Sequence, residues 1–217
     1  MSRISRMHAG ILTLAAGAAL LVGCASAPPL QEQAVSKPLA PMPRPERAVG
    51  YKAVRLRDGR EEIITLVAQT DQTQTWADSS GCQVVIPGAG FGPALEFTSC
   101  EGGPGTQAVK LMRGTPYPLT AGSTWVYSYE GTNLRGDRWT GQRHCEVPGT
   151  ARVKAGTAEH DAYKVLCEDN TGNTRTTYTY YVSPELQAII LQERYRVRNW
   201  QGAPPPDRTT WQFVRQE

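Results

Sequence analysis

Histidine and cysteine are the residue types in this sequence that could carry catalytic or metal chemistry. Beyond the first 24 residues the histidines are His144 and His160. His160 precedes Asp161 and could act as a general base oriented by a carboxylate, but neighbouring residues on a strand point to opposite faces and could not easily pair. His144 adjoins Cys145, yet the chain has no Cys-x-x-Cys pair of the kind that binds zinc. We therefore expect no catalytic residue, no metal site and no cofactor.

The known sequence signatures of enzymes are missing as well. The chain contains no Gly-x-Ser-x-Gly, Ser-x-x-Lys, His-Glu-x-x-His or phosphate-loop motif. Glycines alternate over residues 88–92, but they do not open a helix and lack the spacing of a dinucleotide-binding loop. The sequence thus favours a protein that is not an enzyme, and a hydrolase is the least favoured alternative.

Arginines with strand spacing could bind an anion. Arg194, Arg196 and Arg198 would share one face of a strand, and Arg55 and Arg57 repeat this spacing near the start of the body. Guanidinium groups bind phosphate and carboxylate in bidentate fashion, so phosphates of lipid A or carboxylates of peptidoglycan are candidate targets. The alternative is a solvated strand face whose arginines pair with neighbouring acidic residues.

The first 23 residues have the parts of an export signal. Arg3 and Arg6 supply positive charge, and an apolar run of 15 residues follows over 9–23. This run is short for a membrane-spanning helix, which needs about 20 residues. The run ends in a small residue, Gly23, as a cleavage site requires.

Leu21, Gly23 and Cys24 match a lipobox, and the segment therefore resembles a bacterial lipoprotein signal peptide. The resemblance implies cleavage before Cys24 and attachment of acyl chains such as palmitate to it. Two or more chains anchor a protein firmly. Ala25 is not Asp, which implies an outer-membrane lipoprotein that faces the periplasm. An inner-membrane or cell-surface location stays open, as does a plain signal peptide with a chance cysteine.

Residues 24–50 predict a lipidated N-terminus followed by a tether. Six prolines fall between residues 25 and 50, without hydrophobic periodicity. Such chains favour the extended polyproline II conformation. The net charge of +3 includes Arg3 and Arg6, so the chain after the signal carries 21 basic and 20 acidic side chains. A nearly neutral envelope protein is not expected to bind nucleic acid.

Residues 51–217 predict a β-rich body. Short segments rich in Thr, Tyr and Val are separated by Gly, Pro, Asn and Asp. The Asp58-Gly59 pair is typical of a hairpin turn, and the only helical candidate is short, around 184–188. We expect an all-β fold with minor α content, in which antiparallel sheets form a sandwich or an open barrel. A run over 155–186, with Tyr-Lys-Val and Tyr-Tyr-x-x-Pro-Glu patterns, resembles β-rich envelope proteins of unknown function.

The body also contains an apparent internal repeat. Trp76 and Cys82 recur as Trp139 and Cys145 with an offset of 63 in both cases. The repeat predicts related units over 51–118 and 119–184, followed by a C-terminal hairpin over 185–217. The alternative is that two hairpins, each closed by a disulfide, look alike for physical reasons.

Four cysteines are left if Cys24 carries lipid. An even number in an oxidising compartment indicates two disulfides, with three possible connectivities. The repeat favours Cys82–Cys100 and Cys145–Cys167, one in each unit. Closing a loop of this size stabilises a fold by about 3 kcal/mol.

These features together predict an envelope lipoprotein that acts as a non-enzymatic binding or scaffold module. Its partners would be the membrane, through the acyl chains, and another envelope protein, a lipid or peptidoglycan. The alternative is a carrier of a lipid or small molecule with a β-lined cavity. A cavity lined by Tyr178, Tyr180 or Trp125 would favour the carrier, whereas a solid core with an exposed arginine stripe would favour the scaffold.

Overall fold

The computed structural model describes residues 32–88, 90–98, 100 and 103–216. The predicted signal peptide over 1–23, the lipidation residue Cys24 and the first part of the tether lie outside the described residues. In the part of the chain that is described, no helix is long and apolar enough to cross a membrane. The short helix predicted around 184–188 is a turn that joins two strands.

Twelve strands make up the described body. They are β1 (Lys52–Arg57), β2 (Arg60–Gln69), β3 (Thr73–Asp78), β4 (Gln83–Pro87), β5 (Glu96–Thr98), β6 (Gly105–Arg113), β7 (Thr124–Asn133), β8 (Arg138–Ala155), β9 (Ala158–Thr171), β10 (Thr174–Ser183), β11 (Ala188–Arg198) and β12 (Asp207–Gln216).

The strands form one antiparallel sheet that closes into a barrel. Each strand pairs with its neighbours in sequence, and β12 returns to pair with β1, where Arg57 faces Trp211. The prediction of an all-β antiparallel fold is confirmed. The prediction of a sandwich or open barrel is wrong, because the pairing of the first and last strands leaves neither of them as a free edge. The two proposed repeat units both contribute to this single sheet, and the duplication itself stays a prediction.

Strand direction defines two ends of the barrel. The turn at Asp58 and Gly59 joins β1 to β2 at what we call the Gly59 end, which also carries the β9–β10 turn and the β11–β12 connection. The turn over 184–187 joins β10 to β11 at the opposite, or Gln187, end. Asp58 and Gly59 both have positive φ, at 48° and 83°, as a two-residue hairpin turn requires.

The described part of the predicted tether packs against the barrel. Met42 and Leu119 exchange backbone hydrogen bonds of 3.0 and 2.8 Å, and both side chains are buried. Arg47 donates a hydrogen bond of 2.5 Å from Nη2 to the carbonyl of Gln187. Residues 39–47 therefore lie along the Gln187 end.

One side of the interior is filled by a hydrophobic core. Alternate residues of β7, namely Trp125, Tyr127 and Tyr129, are buried and point inward. The Cys145–Cys167 disulfide lies in this core and joins β8 to β9 in register. The prediction of two disulfides is confirmed, because Cys82 and Cys100 form the second near the Gly59 end.

Candidate functional site

The connection between β4 and β5 folds back into the barrel, and we call its described residues, 88 and 90–95, the inserted loop. Phe91 is buried, and its ring lies 5.6 Å from that of Trp125 and 5.2 Å from that of Tyr180. The hydroxyl of Tyr127 donates a 3.0 Å hydrogen bond to the carbonyl of Gly90, and burial raises the pKa of Tyr127 to about 12, so the hydroxyl keeps its proton. This inserted loop separates the filled core from the rest of the interior.

Arg143 holds the inserted loop to the barrel wall. Its Nη1 donates to the carbonyls of Phe91 and Gly92 at 3.1 and 2.6 Å. Its Nε and Nη2 donate to Oδ2 of Asp169 at 2.8 and 2.5 Å, and Tyr129 donates to the other carboxylate oxygen. Burial lowers the pKa of Arg143, but the ionisable neighbours Tyr178 and Asp169 raise it above its ordinary value. The guanidinium is thus permanently charged and its donors are engaged.

A cavity of about 640 Å³ occupies the rest of the interior. It lies between the inserted loop and the inner faces of β1–β5 and β10–β12. Much of its lining is apolar or aromatic, with Ile64, Val84, Ile86, Phe97, Val182 and Phe213 among the side chains. Such a volume lies within the range of small-molecule sites, which is roughly 300–1,000 Å³.

Two of the three residues named from sequence as markers of a carrier line this cavity. Tyr178 and Tyr180 stack on each other with ring centroids 5.9 Å apart and an interplanar angle of 11°. Trp125 is instead buried in the filled core behind Phe91. Tyr178 and Tyr180 are two residues apart on β10 and therefore share one face, which the structure directs to the cavity wall.

The charge on the cavity wall is predominantly positive. Six arginines line it, namely Arg44, Arg47, Arg55, Arg57, Arg143 and Arg194, against two described acidic residues, Glu62 and Asp78. Arg55 Nε lies 2.6 Å from Glu62 Oε2, and Arg57 Nη1 lies 3.9 Å from Glu62 Oε1. Cations on an apolar wall favour a ligand that bears negative charge.

The structure places the predicted arginine stripe on the inner face of β11. Arg194 lines the cavity, and Arg196 and Arg198 are half-buried, whereas Tyr195 between them is exposed on the outer face. Arg198 Nη1 lies 2.7 Å from Oδ2 of Asp207, and Arg194 Nη2 lies 3.5 Å from the other oxygen. The stripe is thus directed toward the interior and partly paired.

His160, which the sequence offered as a catalytic base, does not pair with the carboxylate of its neighbour Asp161. Asp161 accepts hydrogen bonds of 2.7 and 3.1 Å from Arg152, which lies opposite it on β8, and His160 lies opposite Val153. Within the described ranges, no group of three or more His, Cys, Asp or Glu side chains is arranged to hold a metal ion.

Several site residues were missed at the sequence level. Phe91 and Trp211 carried no motif, and Arg143 and Asp169 are 26 residues apart, so nothing in the sequence joins them. Strand spacing gives one signal for the burial of Arg143. It lies two residues before Cys145 and therefore on the same face of β8 as that buried cysteine.

No protein-family model matches this chain, and no curated protein matches it. Among solved structures, the chain is similar to the crystal structure of the hypothetical lipoprotein YmcC from Escherichia coli (K12), with 10% sequence identity and a TM-score of 0.46 over 76% of this chain and 83% of that chain.

Proposed function

We propose that this protein is an envelope lipoprotein whose barrel binds a small apolar or amphiphilic molecule without converting it chemically. The observation that carries the proposal is the cavity of about 640 Å³, walled by Ile86, Phe97, Tyr178, Tyr180 and other apolar or aromatic side chains. Of the two roles weighed from sequence, this favours the carrier, because the arginine stripe faces the interior instead of offering an exposed docking surface.

The energetics fit a ligand with an alkyl or similar apolar body. Transfer of each methylene from water to an apolar environment contributes about 0.8 kcal/mol. A chain of about ten carbons would gain roughly 8 kcal/mol, part of which offsets the entropy lost on binding. Phe91 limits the cavity on the side of the core, and Arg44 and Arg47 border it at the Gln187 end.

Binding is tested with the mature chain carrying Cys24→Ser, so that no acyl chain of its own can enter the cavity. A neutral probe, N-phenyl-1-naphthylamine, is titrated and followed by its fluorescence. We expect saturable binding that Ile86→Trp abolishes by filling the cavity, while Leu134→Trp, at a residue that is 82% exposed, leaves it unchanged. Near-ultraviolet circular dichroism checks folding, and Ala94→Phe serves as a second filling variant. Binding that neither filling variant weakens would contradict the proposal.

The location is the second part of the proposal, and the lipobox at Leu21, Gly23 and Cys24 supports it. We expect Cys24→Ser to abolish labelling by an alkyne analogue of palmitate. The matched control is the double variant Cys82→Ser with Cys100→Ser, which removes two cysteines and should keep the label. Density fractionation of the labelled protein then separates outer from inner membrane, and labelling that survives Cys24→Ser would exclude the anchor.

A scaffold role toward another envelope protein or peptidoglycan is the alternative. Affinity capture of the tethered protein from cross-linked envelopes tests it. Recovery of one protein or of peptidoglycan fragments, with the filling variant Ile86→Trp equally competent, would favour the scaffold over the carrier.

A further inference from the structure

Three guanidinium groups surround one indole ring near the Gly59 end of the barrel. Arg55 and Arg57 lie on β1, Arg194 lies on β11, and Trp211 lies on β12 between these two strands. The three Cζ atoms are 5.8, 5.7 and 5.5 Å from the centroid of the Trp211 ring. The closure of the barrel produces this cluster, because it brings β1 beside β12.

Guanidinium groups outnumber carboxylates among the described residues of the cluster. Arg196 and Arg198 add to the three arginines around the indole, and the described carboxylates that face this group are Glu62, Asp207 and Asp78. Asp78 accepts hydrogen bonds from Ser80 and from the backbone of Cys82, so its charge is largely committed elsewhere. Among the residues that the structure describes, five guanidinium groups therefore face three carboxylates. Like charges held together in a partly buried site repel each other, and a bound anion would relieve that repulsion.

Burial and charge both act on Arg194. Burial has the largest effect and lowers the pKa of its guanidinium, and the nearby charge of Arg196 lowers it further. Tyr178 and Asp207 oppose this by raising the pKa, and Arg57 adds the smallest lowering effect. The direction of this shift shows that the surroundings of Arg194 disfavour its positive charge. An additional negative group at this position would restore the balance.

Two buried donors in the cluster, Nε of Arg194 and Nε1 of Trp211, have no hydrogen-bond acceptor among the described residues. One buried acceptor, Oδ1 of Asp207, likewise has no hydrogen-bond donor among them. A buried donor left without a partner costs about 1–3 kcal/mol. Arg194 and Trp211 are neighbours in the cluster, so one oxyanion with several acceptor oxygens could accept from both.

We infer that the cluster of Arg55, Arg57, Arg194 and Trp211 binds the anionic headgroup, a carboxylate or a phosphate monoester, of the amphiphile proposed above as the ligand. This inference rests on the proposed function. Guanidinium groups recognise both headgroups through paired N–H donors. Apolar and aromatic side chains continue from the cluster along the wall, since Phe213 lies opposite Arg55 and Tyr178 opposite Arg194. The headgroup lies near the Gly59 end, and the apolar tail extends toward the inserted loop.

The test compares ligands that share a ten-carbon chain and differ in the headgroup. Decanoate, decyl phosphate, decanol and decylammonium are titrated into the mature Cys24→Ser chain by isothermal calorimetry at one fixed ionic strength. We expect at least one of the two anions to bind ten-fold or more tightly than decanol, and decylammonium to bind most weakly. The preference between decanoate and decyl phosphate identifies which headgroup the site takes.

Variants test which residues produce the preference for an anionic headgroup. Arg194→Met should weaken binding of the preferred anion at least ten-fold and leave decanol unchanged, and Arg135→Met, at a side chain that is 85% exposed, should change neither. Trp211→Phe keeps an aromatic ring and removes the N–H donor, and it provides a second variant if Arg194→Met does not fold. It should weaken binding of the preferred anion and leave binding of decanol unchanged.

The outcomes separate the inference from the function on which it rests. Equal affinity for all four headgroups, or an anion preference that both Arg194→Met and Trp211→Phe retain, would overturn the headgroup site and leave the carrier intact. Failure of every ten-carbon ligand to bind, together with failure of the neutral probe, would instead overturn the carrier itself.

Discussion

Arg143 and Asp169 form an ion pair at the boundary between the filled core and the cavity. Arg143 Nη2 lies 2.5 Å from Asp169 Oδ2, and each side chain is only 8% exposed. The same guanidinium donates to two carbonyls of the inserted loop. One buried pair thus fixes both the wall of the barrel and the loop that limits the cavity, so the volume available to a ligand depends on it.

Removal of the negative partner should destabilise the protein strongly. We expect Asp169→Asn to lower the free energy of unfolding by about 3–5 kcal/mol, because it leaves a buried guanidinium unpaired. The measurement is chemical denaturation under non-reducing conditions. The control is Asp137→Asn, whose partner Arg135 lies 3.5 Å away with both side chains exposed, and it should cost about 1 kcal/mol or less. Equal costs for the two variants would refute a structural role for the buried pair.

The left-handed backbone at Phe91 should be visible in the relative stabilities of two variants at this position. Its φ is 55°, a region that favours glycine over residues with a Cβ. Phe91→Ala should cost about 3–5 kcal/mol of unfolding free energy through lost packing. A glycine ordinarily lowers the free energy of unfolding by roughly 0.5–1 kcal/mol relative to alanine. Here we expect the Phe91→Gly variant to be no less stable than Phe91→Ala, because the left-handed backbone favours glycine. Thermal and urea unfolding of the two variants measure the difference, and a clearly less stable Phe91→Gly would count against the inserted conformation.

The local features of the fold were predictable because they depend on neighbouring residues. Segments rich in Thr, Tyr and Val between Gly, Pro, Asn and Asp indicated strands, and the Asp58-Gly59 pair indicated a hairpin through its tolerance of positive φ. Closure was not predictable in this way. It rests on β1 meeting β12, as at Arg57 and Trp211, and no local pattern encodes a pairing between strands so far apart in the chain.

The same limit explains what was missed at the site. Strand spacing predicts that Arg194, Arg196 and Arg198 share one face, but only closure decides that this face is the inner one. Prolines fix an extended backbone without specifying what it touches. The burial of Met42 against Leu119 was therefore not visible in the composition of the predicted tether.

The two disulfides should differ in their resistance to reduction. Cys145 and Cys167 are completely buried in the core, whereas Cys82 and Cys100 are half-buried near the Gly59 end. Thiol–disulfide exchange requires access of the attacking thiolate to a sulfur atom. We expect limited dithiothreitol treatment of the native protein to reduce Cys82–Cys100 first, as read by alkylation and peptide mass mapping. In denaturant the difference should disappear, and early alkylation of Cys145 in the native protein would argue against its burial.

A pH-sensitive contact should hold the start of the described N-terminal segment to the barrel. Glu32 accepts hydrogen bonds from Lys164 Nζ at 2.7 Å and from the Tyr181 hydroxyl at 2.5 Å. Burial raises the pKa of the Glu32 carboxyl, but these two hydrogen bonds lower it to below its ordinary value. The contact therefore stabilises docking fully above the pKa that Glu32 has when undocked, and this stabilisation is lost as the pH falls through the lower, docked pKa.

Hydrogen exchange at the amide of Gln33, which donates to the carbonyl of Arg152 at 3.0 Å, measures this docking. We expect the protection factor of this amide to fall as the solution is acidified, and Glu32→Gln to lower it several-fold at neutral pH and to remove most of the pH dependence. Glu46→Gln, at an exposed residue of the same segment, is the matched control and should leave both unchanged. The Met42 amide should stay protected in all variants, because its partner Leu119 is buried at the Gln187 end. Equal pH dependence of Gln33 protection in the parent chain and in Glu32→Gln would show that Glu32 does not control the contact.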